Sequence, residues 1–220
     1  MKRKFYHNYD ESYYKERIKI VSKKHIIKFV VFLKGKNIKW LDIGCGLGYL
    51  VKEAVEEGID AYGIDVSKYA VENAVVKDRV LCGSMEGIPL GNEFFDAISA
   101  IDVIEHINPA NVEKALSETF RVLKPHGLLI LTTVNPYHWG DYIYDLTHVC
   151  VRSPKFWKEV LERVGFEVKV AYVPSFLKYY LGVAVFIPDS FIFWLEDPLR
   201  YILGRFMSAK GRLYILAKKR

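Results

Sequence analysis

The sequence predicts an α/β fold, a doubly wound parallel sheet covered by helices on both faces. Three observations predict it. From residue 38 onward, short apolar runs of strand length alternate with amphipathic stretches of helical period. Leu128–Val134 is nearly all apolar, as a central strand buried on both faces must be. The connections are short, and neither an internal repeat nor a low-complexity linker breaks the rhythm.

The elements follow in order. Between Ser12 and Leu33, apolar residues at 14, 18, 21, 26/27 and 30/31 oppose Lys15, Lys19 and Lys23, which predicts one amphipathic helix or two in sequence. Gly35-Lys36-Asn37 ends that arm, and Ile38–Ile43 is a strand running into glycines. Helix 48–57, strand Ala61–Ile64, helix 67–75 and strand Arg79–Cys82 come next, then strand Phe95–Ala100 after a loop. Helix 110–123 carries Val112, Ala115, Leu116, Phe120 and Leu123 on one face and is stopped by Pro125. Ser153-Pro154 supplies an N-cap and first-turn proline for a helix that Gly165 ends. Strands Glu167–Val173 and Leu213–Ala217 complete the set. The organisation expected is one domain, with a helical arm over 1–36, a core over 37–174 and 209–220, and a helical insertion over 175–208.

Composition narrows the class. A chain of 220 residues, 51% apolar and 26% charged, is neither disordered nor a disulfide-stapled mini-protein. Cys45, Cys82 and Cys150 make an odd count without paired spacing, so they are expected as reduced thiols of a cytoplasmic protein. The start Met-Lys-Arg-Lys is followed by polar residues where a secretory signal would be apolar. The net charge of +6 divides unevenly. Residues 1–40 hold 12 Lys/Arg against 3 acids, residues 41–209 hold 15 against 23, and residues 210–220 hold 5 against none. An acidic body between basic ends disfavours nucleic acid as a partner.

The strongest motif is Trp40-Leu41-Asp42-Ile43-Gly44-Cys45-Gly46-Leu47-Gly48. A buried strand enters a turn whose glycines permit positive φ, and the turn opens a helix whose free N–H groups attract the polar end of a ligand. A dinucleotide fingerprint would need a small residue at position 49, which is Tyr49, and Asp42 would repel a pyrophosphate. An acid here suits a cationic group instead. The next strand ends at Asp65, where a carboxylate can accept both hydroxyls of a ribose.

These residues resemble class I S-adenosylmethionine-dependent methyltransferases, of the broad small-molecule branch often called type 11. Leu81–Leu90 is similar to the family's adenine segment, with Ser84 where an Asp is usual. Val103-Ile104-Glu105-His106 resembles its Leu-Glu-His turn, and Leu123-Lys124-Pro125-His126-Gly127 its turn before strand five. The resemblance implies a Rossmann-like sheet of seven strands in the order 3-2-1-4-5-7-6. It implies S-adenosylmethionine as cofactor, held by Asp42, Gly44, Gly46, Gly48, Asp65, Ser84 and Met85, and a small-molecule acceptor.

Acceptor chemistry is expected beyond the fourth and fifth strands. Asn135–His148 is the densest polar and aromatic stretch of the chain. Its Asp145-Leu146-Thr147-His148 resembles a segment near the family's acceptor site, with His148 as general base and Asp145 orienting it. The alternative role for both is to pin the loop. His106 is expected to stabilise its turn. No His/Cys cluster has metal-ligand spacing, so no metal is expected, though Asp141 and Asp145 leave a metal-assisted transfer open. The aromatic-rich 172–206 stretch fits a lid with an apolar pocket, packing over the sheet edge, or peripheral membrane contact. The Tyr13-Tyr14 pair suits a place near the adenosyl group. A second functional class stays open, a catalytically idle S-adenosylmethionine-binding interaction protein.

Overall fold

A computed structural model describes residues 13–14, 35, 37–134, 136, 147–172 and 212–220. Most of the arm, the 137–146 loop with Asp145, and the 175–208 insertion lie outside the described residues. The strands are β1 (Lys39–Ile43), β2 (Asp60–Asp65), β3 (Val80–Cys82), β4 (Phe95–Ile101), β5 (Leu123–Val134), β6 (Phe166–Tyr172) and β7 (Arg212–Lys219). The helices are α1 (Tyr49–Glu56), α2 (Lys68–Glu72), α3 (Val112–Val122) and α4 (Pro154–Val164).

The strands form one seven-stranded sheet in the order β3-β2-β1-β4-β5-β7-β6, as expected. β1 to β5 pair in parallel, and β7 runs antiparallel between β5 and β6. Pleating sends alternate residues to opposite faces. Leu41, Ile43, Ile98, Leu129 and Leu131 enter the core cluster that holds Leu116 of α3 and Trp157 of α4. Trp40, Ala61, Ala97, Ile101 and Ile130 enter the other, with Leu50, Val51 and Ala54 of α1. Every one of these positions is buried, which is why both faces of these strands carry apolar residues.

β5 begins at Leu123, five residues before the expected Leu128, and two helices end early, each beside a tertiary hydrogen bond. The helix expected over 67–75 is only Lys68–Glu72, because Val75 N–H donates to Leu47 O at 3.0 Å and ties the chain to the glycine loop. The helix expected to reach 123 ends at Val122, and Leu123 is already extended opposite Phe95. Its last carbonyls are taken by the chain entering β4, with Phe94 N–H on Val122 O at 2.8 Å and Glu93 N–H on Arg121 O at 2.9 Å. α4 has the expected caps, Ser153 accepting from Phe156 N–H and Gly165 at φ 115.

Two basic side chains act inside the fold. Arg121 donates to Glu118, to the carbonyls of Ile88 and Leu90 and to Asn92, all at 2.7–3.0 Å. Glu118 in turn accepts from Ile88 N–H at 3.1 Å, so α3 holds the 84–92 loop in place. The pair holds the Glu118 carboxyl below and the Arg121 guanidinium above its ordinary pKa, through their hydrogen bond first. Lys219 is buried, and its Nζ donates to Phe120 O and Leu123 O at 2.9 and 2.7 Å. Part of the basic tail is therefore a cap on the C-terminal end of α3.

Arg121→Met is expected to destabilise the domain by about 1–3 kcal/mol, because it leaves carbonyls of the 88–92 loop without their donor. A urea titration checks this; an unchanged midpoint would show that the loop holds itself.

Candidate active site

β1 and β4 lie side by side, and from them the chain winds outward in opposite directions. The loops that follow these two strands diverge, opening a crevice at their carboxyl ends where ligands bind in this class of sheet. The glycine loop lines one side. Gly44, Gly46 and Gly48 take φ values of 68, 56 and 75°, conformations that side chains rarely adopt. At Gly44 a Cβ would also stand 2.4 Å from Cγ2 of Val103, so the loop after β4 packs directly on the loop after β1. Gly48 caps α1 in its left-handed conformation.

Asp65, at the end of β2, is 7% exposed and gathers the surrounding backbone. Gly46 N–H donates to Oδ2 at 2.8 Å, Ser67 N–H to Oδ1 at 2.9 Å, and the Tyr14 hydroxyl to Oδ1 at 3.4 Å. Burial raises its pKa above the usual carboxylate value, partly offset by the Ser67, Gly46 and Tyr14 hydrogen bonds. Tyr14 stacks on Tyr69 at 5.9 Å, and Tyr13 and Tyr14 pack with Ala70 against Leu47. This part of the arm thus packs on the glycine loop and on α2. Burial beside Asp65 pushes the Tyr14 phenol far up, so its hydroxyl stays a donor.

Asp42 is buried on the face shared with Trp40. The Ser99 hydroxyl donates to Asp42 Oδ1 at 2.6 Å and accepts from Trp40 Nε1 at 3.0 Å, across the register that places Asp42 opposite Ser99. Burial, then the charges of Asp42 and Asp65, hold the Cys45 thiol well above its ordinary pKa, so it is protonated and a poor nucleophile. Ser84 accepts from Glu86 N–H at 3.1 Å, which makes it a brace of its own turn, while Met85 is buried in the main core.

A 3₁₀ turn over Ile104–His106 follows β4 and begins beside Val103, the residue packed on Gly44. Glu105 is buried, and His106 Nδ1 lies 3.2 Å from Thr147 O. The rings of His106 and His148 stand 4.9 Å apart. Glu105, His106 and His148 therefore meet at one place, a grouping that sequence spacing missed because His148 lies far along the chain. Asp145, the expected partner of His148, lies outside the described residues.

A family model described as a methyltransferase domain matches residues 12–170. The chain belongs to this methyltransferase domain family. Its sheet is that of the class I, S-adenosylmethionine-dependent methyltransferases. A SAM-dependent methyltransferase from Archaeoglobus fulgidus shares the fold with a TM-score of 0.67 at 20% identity, over 96% of this chain and 100% of that one. A phosphoethanolamine N-methyltransferase of Haemonchus contortus, solved with S-adenosylhomocysteine, does so with a TM-score of 0.60 at 18% identity, over 89% of this chain and 52% of that one. A ubiquinone biosynthesis O-methyltransferase from Photobacterium profundum is 34% identical over 112 residues, 47% of this chain and 46% of that protein. The chain thus spans about half the length of the curated relatives it matches.

The donor and acceptor set of this methyltransferase domain fits an adenosyl cofactor. A carboxylate has about four acceptor positions. Three of those on Asp65 are taken, so two ribose hydroxyls fit once Tyr14 swings off Oδ1.

Two results should follow. Asp65→Ala weakens S-adenosylhomocysteine binding by roughly 10–100-fold, whereas Tyr14→Phe changes it less than about 5-fold. Binding to the unsubstituted protein also weakens as pH falls through the raised pKa of Asp65, starting at a higher pH than for an ordinary aspartate, since the protonated acid accepts less well. Calorimetric titration across pH checks both; a flat profile, or a Tyr14→Phe loss equal to that of Asp65→Ala, would contradict this assignment.

Proposed function

We propose that this protein transfers the methyl group of S-adenosylmethionine to an oxygen of a small hydrophobic acceptor, a phenol or other hydroxyl. One observation carries the reading: the glycine loop held by Asp65 packs through Gly44 on Val103, two residues before Glu105 and His106, which meet His148. Asp65 and its loop hold a ribose, and the Glu105–His106–His148 group offers a base and acceptor ligands where a nucleophile would approach. The relatives named O-methyltransferases support the oxygen acceptor.

The bound cofactor supplies a methyl group made electrophilic by its sulfonium. Asp65 fixes the ribose, Ser84 and Met85 border the adenine position, and the glycine loop lets the backbone approach closely. Asp42, held by Ser99, sets a negative charge near the cationic end. The chain's main catalytic contribution is in-line placement. In the ion-free protein His148, with Asp145 orienting it, takes the acceptor's proton. The acidic body of the chain suits a cationic cofactor and an uncharged acceptor.

A panel of phenols, aliphatic alcohols and amines, read by S-adenosylhomocysteine release, tests the proposal. Turnover is expected with a hydroxyl acceptor, and His148→Ala should lower kcat by roughly 10²–10⁴-fold with cofactor affinity unchanged. Release with amines alone would overturn the oxygen acceptor. Tight cofactor binding with no release from any acceptor would instead favour an idle cofactor-binding protein.

A further inference from the structure

Glu105, His106 and His148 each offer one ligand atom, and the three atoms lie within 4.8 Å of one another. We propose that they form a binding site for a divalent transition-metal ion of the zinc type, with a fourth position open to a ligand oxygen. Four features of the structure support this.

The first is donor chemistry. Two imidazoles and one carboxylate suit zinc and its neighbours, whereas magnesium prefers an all-oxygen shell. Three such ligands leave the open position typical of catalytic zinc sites. The second is the state of His106. Its Nδ1 lies 3.2 Å from Thr147 O, and a carbonyl only accepts, so Nδ1 carries a proton and Nε2 is the atom placed to ligate. A metal-bound histidine characteristically donates its other N–H in this way.

The third is ring geometry. Two imidazoles on one tetrahedral ion, with metal–nitrogen bonds of about 2.1 Å, place their ring centres roughly 5 Å apart. Those of His106 and His148 are 4.9 Å apart and tilted by 58°, not stacked. The fourth is backbone support. The 3₁₀ turn presents Glu105 and His106, and Cys150 N–H donates to Glu105 O at 2.9 Å. With the His106–Thr147 contact, this ties the chain to the turn on both sides of His148. Only a small closure of the side chains is needed, since ligands on one tetrahedral ion stand roughly 3.5 Å apart.

The site begins two residues beyond Val103, whose side chain packs on Gly44. An ion there faces the acceptor side of the crevice. Its catalytic consequence rests on the function proposed above; its binding does not. An acceptor hydroxyl taking the open position forms a metal–oxygen bond and loses its proton to solvent at lower pH. The oxygen then bonds to the methyl carbon as the carbon–sulfur bond breaks, giving a methyl ether and S-adenosylhomocysteine. His148 in that state is a ligand and not the base.

The test uses the full chain, stripped with EDTA and titrated calorimetrically with Zn²⁺ and separately with Mg²⁺. One Zn²⁺ per chain is expected, bound at least 100-fold more tightly than Mg²⁺. His148→Ala and His106→Ala should each weaken Zn²⁺ at least tenfold, while Cys82→Ser leaves it unchanged. Unaltered S-adenosylhomocysteine affinity in His148→Ala shows that the variant is folded. Absence of stoichiometric Zn²⁺, tighter Mg²⁺, or Zn²⁺ binding indifferent to both histidine variants overturns the site. Turnover in EDTA without Zn²⁺ binding removes the site and leaves methyl transfer standing. Zn²⁺ binding with no turnover on any acceptor does the reverse.

Discussion

The carboxylate of Asp65 ties together three segments that lie apart in the chain. It accepts from the glycine loop after β1 through Gly46, from the start of α2 through Ser67, and from the arm through Tyr14. Burial alone would drive such a group to its neutral form; the donors around it oppose that. The positive φ angles of the glycine loop persist because Gly46 is anchored there and because Gly44 and Cys45 N–H both donate to Ile64 O. With Tyr14 moved off Oδ1 there is room at Asp65 for a diol, so a contact that orders the crevice is also the one a ribose would use.

The opposite wall depends on this one through packing. Val103 touches Gly44, so the 3₁₀ turn with Glu105 and His106 is positioned by the cofactor loop it faces. The β4–β5 wing adds rigidity from behind. Thr132 donates to Asp102 at 2.9 Å at the start of that turn, and Asp102 accepts the strain of a φ of 58°. Arg121 holds the 84–92 loop from the far side of α3. Strand order thus accounts for where the two walls stand, and a few long-range hydrogen bonds account for how firmly.

The sheet and the glycine loop were legible in the sequence because their signals are local. Strand apolarity, the glycines with Asp42, and Asp65 at the end of a strand each speak from a few consecutive residues, and family resemblance supplied the strand order. The contact by which Ser84 braces its own turn, accepting from Glu86 N–H, was not legible in the sequence. What escaped depends on distant partners. Glu105, His106 and His148 form a group only after β4 and the segment before α4 are brought together. Arg121 and Lys219 each satisfy carbonyls far away in sequence, which no local pattern signals. The charge partition survives with one refinement, since Lys219 belongs to the core's capping and not to a basic surface. In the described residues no helix is long and apolar enough to cross a membrane.

The central claim is that Asp65 receives the ribose in a crevice whose other wall is the Glu105–His106–His148 group. A crystal structure with S-adenosylhomocysteine bound tests it most directly. The account predicts both ribose hydroxyls on the Asp65 carboxylate, the Tyr14 hydroxyl moved off Oδ1, and the sulfur directed toward His148. A ribose bound elsewhere, or a sulfur facing away from that group, would contradict it.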